Sequence, residues 1–486
     1  MNLDLFIPEI TLAVFAVLVI VLDLFISQKT LLRSVSLAGL VIAGGVAIVM
    51  WGEDYPAIFN NMLAVDHYAL FFKVLFAGIA FLVILASADY ASKFKRFQGE
   101  YYALILLSTL GMMLMAATAD LISLYISLEL TSISLYILVG FLKDRKSTEA
   151  SLKYLLLGAV ASAVLLYGMA LIFGYTGETQ LGAIAAAVQS MSPSSILDSP
   201  ALLMGIVLLV AGFGFKIAAV PFQMWVPDVY EGAPTPVTAY LSVASKAAGF
   251  AIIIRVFYSA FGAPEWLSSN WGMIFAVLAI LSMIIGNVVA IPQSNIKRML
   301  GYSSIAQAGY LMVGLATLGF AQVSATAGQS TIMFFLASYA LTNLGAFIAV
   351  IAISDKVGSD EINDYAGMFK RAPLLSLALT LCLFSLIGMP PAAGFMAKFY
   401  IFSSAVQHDL LWLVVIAVIN SVISAYYYLR VVKVMWFGEA ASGEKVPSSG
   451  APRFALLLCC LGVLLLGIIP GLLMRLAELA GKLFAF

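Results

Sequence analysis

The chain has 486 residues, of which 63% are hydrophobic and only 10% are charged, and its formal net charge is zero. Soluble domains carry about 25% charged residues, so this composition excludes a soluble protein and predicts a polytopic helical membrane protein. The balanced charge gives no basic surface and therefore no indication of nucleic acid binding. The three cysteines lie in apolar segments without ligand spacing, which excludes a zinc or iron–sulfur site carried by this chain.

Hydropathy predicts an all-α fold with about fourteen membrane-spanning helices. Numbered in chain order, helices 1 to 14 run over about 5–25, 32–51, 65–87, 101–118, 119–141, 147–174, 200–226, 234–260, 271–292, 296–319, 327–354, 373–403, 408–437 and 453–474. The first is too long for a signal peptide and lacks a basic flank and a cleavage site, so we expect a retained helix.

Helices 7 and 12 are interrupted in parallel ways. Each combines glycine, a lysine and interior proline, which is Pro221 in helix 7 and Pro390 with Pro391 in helix 12. Proline breaks the helical hydrogen bonds, and in lipid this is tolerated only beside protein or a watery cavity. Discontinuous helices five segments apart predict two inverted five-helix repeats, helices 4–8 and 9–13. We expect four units: 1–100 with three helices, 101–260 and 271–437 as the repeats, and 453–486 with the last helix.

The distribution of basic residues predicts the orientation of the chain. With fourteen helices, basic loops such as KDRK after helix 5 share one side, whereas the opposite loops, such as GEDYPAIFNN and GETQLG, carry almost no basic residue. Because basic residues stay in the cytoplasm, we expect both termini on the non-cytoplasmic side of the membrane.

Ionisable residues lie inside several of these apolar segments. They are Glu129 in helix 5, Lys153 in helix 6, Lys216 in helix 7, Lys246 in helix 8 and Lys398 in helix 12. A charge at the bilayer centre costs about 2.5–3.5 kcal/mol even on lenient insertion scales. Five such groups therefore indicate an ion or proton path through the membrane.

The five residues differ in how strongly they indicate this path. Glu129 and Lys216 form a natural pair, because an opposite charge favours the ionised form of each while burial disfavours it; a pair that serves assembly only is the alternative. Lys246 has no carboxylate within helical reach. Lys153 can extend to the membrane surface and has Glu149 four residues earlier, so a surface charge and a relay member both stay open.

Other polar residues can hold water between the charges or form bonds between helices. They are Ser127, Thr131, Ser134, Tyr302, Ser303, Ser304 and Asn343. The run YYYLR, from Tyr426 to Arg430, fits either an interfacial anchor or a hydrated path. His67 and His408 lie at segment ends and are interpreted as interface residues.

Several long runs resemble one known family. The similarity lies in SLYISLELTSISLYILVGF, KDRKSTEASLKY, GFGFKIAAVPFQMWVPDVYEGAPTPV, QSNIKRMLGYSSIAQAGY and GMPPAAGFMAKFY. These runs are similar to the antiporter-like membrane subunits of respiratory complex I, the type-1 NADH:quinone oxidoreductase of bacteria. Two features differ from sister subunits. The chain lacks the long C-terminal extension of subunit L, and it has Lys398 where subunit M and sodium/proton antiporter subunits typically have glutamate.

The resemblance implies a non-redox, proton-translocating subunit of the bacterial cytoplasmic (inner) membrane. Glu129 and Lys216 correspond to the family's pair, Lys246 to its central lysine, Lys398 to the residue that passes the proton on, and Lys153 to a lysine of less certain role. NADH, FMN, iron–sulfur clusters and a quinone such as ubiquinone would belong to the whole complex, with no cofactor in this chain. The implied partners are a neighbouring antiporter-like subunit, small membrane subunits, the peripheral arm indirectly, and membrane lipid.

Two other functions stay open at this stage. A cation/proton antiporter subunit would work independently of electron transfer, and the genes beside it would lack a peripheral arm. A structural spacer in the membrane arm would keep pumping when its lysines are replaced.

Overall fold

The computed structural model describes residues 3–26, 28–52, 55, 57–94, 97–190, 200–262, 265–320, 327–440, 444–447 and 449–482. Within these ranges, thirteen helices are long and apolar enough to cross a membrane. A fourteenth crossing is made by two shorter apolar helices that follow one another. The expected all-α polytopic fold with about fourteen crossings is therefore confirmed.

The crossings are labelled α1 to α14 in chain order. Their bounds are Ile7–Phe25, Lys29–Val49, His67–Ala86, Gln98–Ala117, Leu121–Val139, Arg145–Thr176, Pro200–Ile217 with Val226–Gly232 (α7a and α7b), Thr235–Phe261, Glu265–Ala290, Ile296–Phe320, Ala327–Val357, Pro373–Ile387 with Ala393–Gln407 (α12a and α12b), Leu411–Phe437 and Gly450–Ile468. A short helix, Gly471–Ala480, follows α14.

Aspartate caps define where several crossings begin. The Asp120 side chain accepts a hydrogen bond from the backbone N–H of Ile122 at 2.7 Å and so starts α5 directly after α4. Asp66 and Asp144 cap α3 and α6 in the same way. Such caps satisfy backbone donors that helix starts leave without partners, which allows the connection between α4 and α5 to be very short.

Both discontinuous helices break as expected from their prolines. The residue after α7a, Ala218, has φ 61°, and the residue after α12a, Gly388, has φ 92°. Both values lie in the left-handed region, which ends an α-helix. The Val220–Pro221 and Pro390–Pro391 peptide bonds are cis. The two breaks therefore share one backbone design, at equivalent positions of helices 4–8 and 9–13.

The most deeply buried crossings lie at the centre of the molecule. Every residue in the most apolar 18-residue stretch of α8 is buried inside the molecule, and so are 94% of the residues in the corresponding stretches of α10 and α11. The corresponding share is 39% or less for α1, α2, α6, α13 and α14, which form the periphery. The helix that carries Lys246 is thus shielded from lipid by the rest of the chain.

Candidate proton path

Glu129 and Lys216 lie close to each other without a direct ion pair among the described residues. Glu129 lies midway along α5, is partly exposed, and its Oε1 accepts a hydrogen bond from Ser162 Oγ of α6 at 2.5 Å. The buried Lys216 Nζ donates to Ser132 Oγ of α5 at 3.0 Å. A cavity of about 10 Å³ is lined by Lys216, Ser132 and Ser162, close to the volume needed for one water molecule. The two charges are therefore linked through serines and a water-sized space.

Lys246 is held by oxygen atoms of a single neighbouring residue. Only 1% of its surface is exposed, and a π-helical turn, Leu241–Ser245, directly precedes it. Its Nζ donates to the backbone oxygen and to Oγ of Ser304 at 2.5 and 2.9 Å. Among the described residues, no carboxylate forms an ion pair with it. π-turns are frequent at functional sites, so this local geometry fits a functional lysine.

Lys398 binds the end of the first half of its own broken helix. Its Nζ donates to the backbone oxygens of Leu386 and Ile387 at 3.1 and 2.9 Å, and to Ser421 Oγ of α13 at 2.9 Å. The Tyr310 ring lies 4.4 Å from Nζ. The break leaves the last carbonyls of α12a without helical donors, and the lysine supplies donors to them.

A chain of buried polar groups extends from the α8 lysine to the α12b lysine. Ser303 directly precedes Ser304, which binds Lys246. The Oγ atom of Ser303 is 2.5 Å from Tyr428 Oη. The adjacent Tyr427 ring contacts that of Tyr428 in a tilted arrangement with a centroid distance of 4.3 Å, and Tyr427 Oη donates to Asn287 Oδ1 at 3.0 Å. Asn287 Nδ2 donates to Tyr310 Oη at 3.3 Å. Tyr310 in turn faces the α12b lysine.

Equivalent helices of the two repeats enclose equivalent cavities. The first cavity is lined by α5, α6 and α7a around Lys216. A second one, also about 10 Å³, is lined by α10, α11 and α12 around Lys398, with Gln307 and Thr342 in its wall. Each broken helix thus places one buried lysine beside one water-sized space.

Lys153 lies apart from this series of buried polar groups, in the third turn of α6. Its side chain is 43% exposed, and its Nζ is 2.8 Å from both Glu149 and Asp228. Asp228 also binds Arg298 Nη1 at 2.9 Å. The intrahelical partner expected from the sequence is therefore present, as one member of a half-exposed ionic network.

The other polar residues named from the sequence divide into two groups. Ser127, Thr131 and Ser134 donate to backbone oxygens of their own helix, so they do not bridge the charges. Asn343 Nδ2 binds Ser242 Oγ of the π-turn at 2.7 Å. In the YYYLR run, Tyr427 and Tyr428 are buried, whereas Tyr426 is 62% exposed. Part of that run therefore joins the polar chain, and part faces outward.

Two buried ion pairs were missed by sequence reasoning. Lys73 of α3 lies 2.7 Å from Glu9 of α1, and Arg255 of α8 makes two hydrogen bonds to Asp66 at 2.7 and 2.8 Å. All four side chains are 1% exposed or less. Lys73 and Arg255 also lie inside apolar segments, and that position was the available signal. Lys73 and Arg255 therefore join the five ionisable residues that the sequence places inside apolar segments.

In the described part of the chain, no group of three or more His, Cys, Asp or Glu side chains is arranged to hold a metal ion. His67 lies 2.9 Å from the Trp51 backbone oxygen, and His408 lies 2.8 Å from that of Ser404. Both histidines thus contact backbone near the ends of crossings.

Comparison with known proteins identifies the family. Residues 118–424 match the family described as NADH:quinone oxidoreductase/Mrp antiporter, transmembrane. The chain is 51% identical to NADH-quinone oxidoreductase subunit N of Dehalococcoides mccartyi over 99% of both chains. It is similar to a chain of respiratory complex I from Thermus thermophilus, with 32% identity, a TM-score of 0.80, and 97% and 99% of the two chains covered. A chain of the Mrp complex from Dietzia sp. shares the fold, with 20% identity, a TM-score of 0.85, and 99% and 97% covered.

The run PDVYEGAPTPV covers most of α7b and the start of α8. It lies within the full-length similarity to subunit N of bacterial NADH-quinone oxidoreductase, the counterpart of mitochondrial chain 2. The chain belongs to the family of NADH-quinone oxidoreductase subunit N.

Proposed function

We propose that protons cross this subunit through a relay of Glu129, Lys216, Lys246 and Lys398, driven by electron transfer from NADH to quinone in other subunits. The chain is a membrane subunit of NADH-quinone oxidoreductase, an enzyme complex. The observation that carries the proposal is the chain of buried polar side chains between Lys246 and Lys398. Lys153, exposed at the surface, takes at most an entry role.

The bonds of the three buried lysines suit proton transfer. Each ammonium group is held by uncharged oxygens. Lys216 binds a serine hydroxyl, whereas Lys246 and Lys398 each bind a serine hydroxyl and backbone carbonyl oxygen. Loss of a proton therefore turns a buried cation into a neutral amine and leaves no directly paired buried anion behind, which avoids the large cost of an isolated charge. The hydroxyls of serine and tyrosine both donate and accept hydrogen bonds, so they can pass a proton along with water.

The partial exposure of Glu129 indicates a partner subunit. A carboxylate midway along a spanning helix costs about 2.5–3.5 kcal/mol when it faces lipid, yet part of Glu129 is not covered by this chain. A neighbouring antiporter-like subunit or a small membrane subunit covers it in the assembled membrane arm. The peripheral arm acts on this subunit indirectly.

The remaining assignments follow from membership of the family. NADH, FMN, iron–sulfur clusters and quinone belong to other subunits, so this chain works as a translocase without a redox group of its own. It spans the bacterial inner membrane with both termini on the non-cytoplasmic side, as the basic loops indicate. Residues 101–260 and 271–437 form the two relay units, flanked by residues 1–100 and 453–486.

Replacement of Lys246 tests the relay. Arginine does not release its proton under any working condition, so Lys246→Arg should assemble but abolish proton uptake, and Lys246→Ala should do the same. Quinone-linked NADH oxidation should fall in parallel, while artificial acceptors reduced by the peripheral arm should keep the parental rate. The measurements are proton uptake and both oxidation rates in membranes, with assembly checked on native gels. Parental pumping by assembled Lys246→Arg would refute a titrating lysine here.

A cation/proton antiporter independent of electron transfer is the alternative. Similarity to the Mrp complex at 20% identity shows the fold alone and does not favour that activity. Sodium-dependent proton exchange without NADH, measured in the same membranes, would support it.

A further inference from the structure

A basic and apolar groove lies between α12a and α14, away from the relay. Its volume is about 760 Å³, within the range of about 300–1,000 Å³ typical of small-molecule sites. Arg371, Lys445 and Arg453 line it together with a wall of aliphatic side chains. Among the described lining residues, none is acidic. We propose that this groove binds one anionic phospholipid, with the headgroup at the basic end and an acyl chain along the apolar wall.

The three basic residues come from separate segments and meet at one end. Arg371 precedes α12a, Lys445 lies in the segment 444–447, and Arg453 lies in the first turn of α14. Arg371 Nε donates to the Glu444 backbone oxygen at 2.9 Å, and the Val446 N–H donates to the Arg371 backbone oxygen at 3.2 Å. These two bonds fix the 444–447 segment beside Arg371. The basic end is therefore built by the fold and does not consist of loose surface side chains.

The apolar wall continues from this end into the membrane. Along α12a it extends from Pro373 to Leu381, which is about 12 Å of helix. Half of a bilayer's hydrocarbon core is about 15 Å thick, so the groove is nearly as deep as one leaflet. Leu374 and Leu457 on this wall are 76% and 54% exposed, so their side chains are open to an occupant.

The placement of the charges favours a phospholipid over a helix of another subunit. A phosphate group concentrates negative charge at one point, and the three cations meet at one end. Both α12a and α14 also begin there, and the partial positive charge of helix starts favours an anion. The wall beyond the basic end is aliphatic apart from the Cys460 thiol, which suits an acyl chain that continues from a headgroup bound at the basic end. Basic pockets between helices on the cytoplasmic side are known to bind anionic headgroups.

The test uses the intact complex in phosphatidylcholine vesicles with a trace of photoactivatable phosphatidylglycerol whose reactive group lies on the acyl chain. Mass spectrometry should locate the label within 371–381 and 450–460. Excess unlabelled phosphatidylglycerol should compete, while phosphatidylcholine should not. Each of Arg371→Gln, Lys445→Gln and Arg453→Gln should weaken binding about fivefold, and the triple variant about a hundredfold. Lys370→Gln, an exposed neighbour outside the groove, is the matched control and should change nothing.

The outcomes are distinguishable from those of the relay experiment. Lys445 is exposed, so Lys445→Gln alone should assemble normally and still report the loss if the triple variant fails to fold. Equal labelling by phosphatidylcholine and phosphatidylglycerol probes, unchanged in the variants, would reduce the groove to an ordinary lipid-facing surface. Absence of label in the intact complex would mean that another subunit covers the groove. Either result overturns the proposal and leaves the proton relay unaffected.

Discussion

The ion pair between Asp66 and Arg255 should stabilise the junction between the first three helices and the first repeat. Arg255 binds both carboxylate oxygens of Asp66, and its Nε donates to the Ala116 backbone oxygen at 2.9 Å. Asp66 also caps α3 through the Ala69 N–H at 2.7 Å. The Arg255 guanidinium lies 4.8 Å from the Tyr68 ring centroid. Both charged side chains are almost completely buried, so each depends on the other for compensation.

The size of the effect follows from that burial. Removing one member of a buried pair costs about 3–5 kcal/mol, because the other charge stays buried and unpaired. Asp66→Asn keeps an N-cap and should show this cost for the charge alone. Arg255→Met should cost a similar amount. The double variant has no buried charge and loses mainly the bond to the Ala116 carbonyl, about 1.5–3 kcal/mol. The coupling between the two sites should therefore exceed about 3 kcal/mol.

The assay compares the midpoint of thermal inactivation and the assembled fraction on native gels for the two single variants and the double variant. We expect the double variant to be closer to the parent than either single variant. Lys93→Met is the control, because Lys93 pairs with Asp355 at 2.8 Å but is 45% exposed, and surface pairs contribute about 0–1 kcal/mol. A double variant less stable than both single variants would show that the two charges do not compensate each other.

Three further outcomes are expected. Glu129→Ala should lower NADH-driven proton uptake more than Glu129→Asp, which keeps a carboxylate near Lys216; equal uptake by both assembled variants would remove Glu129 from the mechanism. Gly249→Ala would place a Cβ 2.7 Å from Ile217 Cγ2. Because α8 and α7a must then separate at a cost of about 1–3 kcal/mol, proton pumping should fall. Gly78→Ala is the control, since the space around Gly78 is open, and this variant should pump normally. Lys153→Met should change quinone-linked NADH oxidation less than about twofold, because exposed ion pairs contribute little to stability. A larger loss of activity in the assembled complex would assign Lys153 a role in the relay.

Hydropathy and proline positions were sufficient to predict most of the fold. Each crossing needs a continuous apolar stretch to span the membrane, so most helices begin and end within a few residues of the expected bounds. The largest differences are six residues: α7b ends at Gly232, α9 begins at Glu265 and α14 ends at Ile468. The breaks after Ile217 and Ile387 were also predictable, because the effect of proline on a helix is local. Both properties depend on residues near one another in the chain.

The partners of the buried charges were not predictable in the same way. Lys246 binds Ser304 and Lys216 binds Ser132, and these contacts depend on how distant helices pack. Helices in lipid are apolar on every face, so periodicity does not show which side faces the protein. For this reason the sequence did not distinguish the exposed Tyr426 from its buried neighbours.

The break in α12 shows how a lysine can stay buried without a carboxylate of its own. Lys216 lies in the last turn of α7a, and Lys398 reaches back to the last two carbonyls of α12a. In the second repeat the ammonium group of Lys398 thus lies at the C-terminal end of a half-helix, where carbonyls without helical donors carry a partial negative charge. That charge is fixed by the backbone and is not consumed when the lysine gives up its proton. In the first repeat the ammonium group of Lys216 donates to Ser132 Oγ of α5. Glu129 makes no direct ion pair with Lys216 among the described residues; its carboxylate binds Ser162 and the Lys216 ammonium binds Ser132. In the relay proposed above, Glu129 would respond to the neighbouring subunit and change how firmly Lys216 holds its proton.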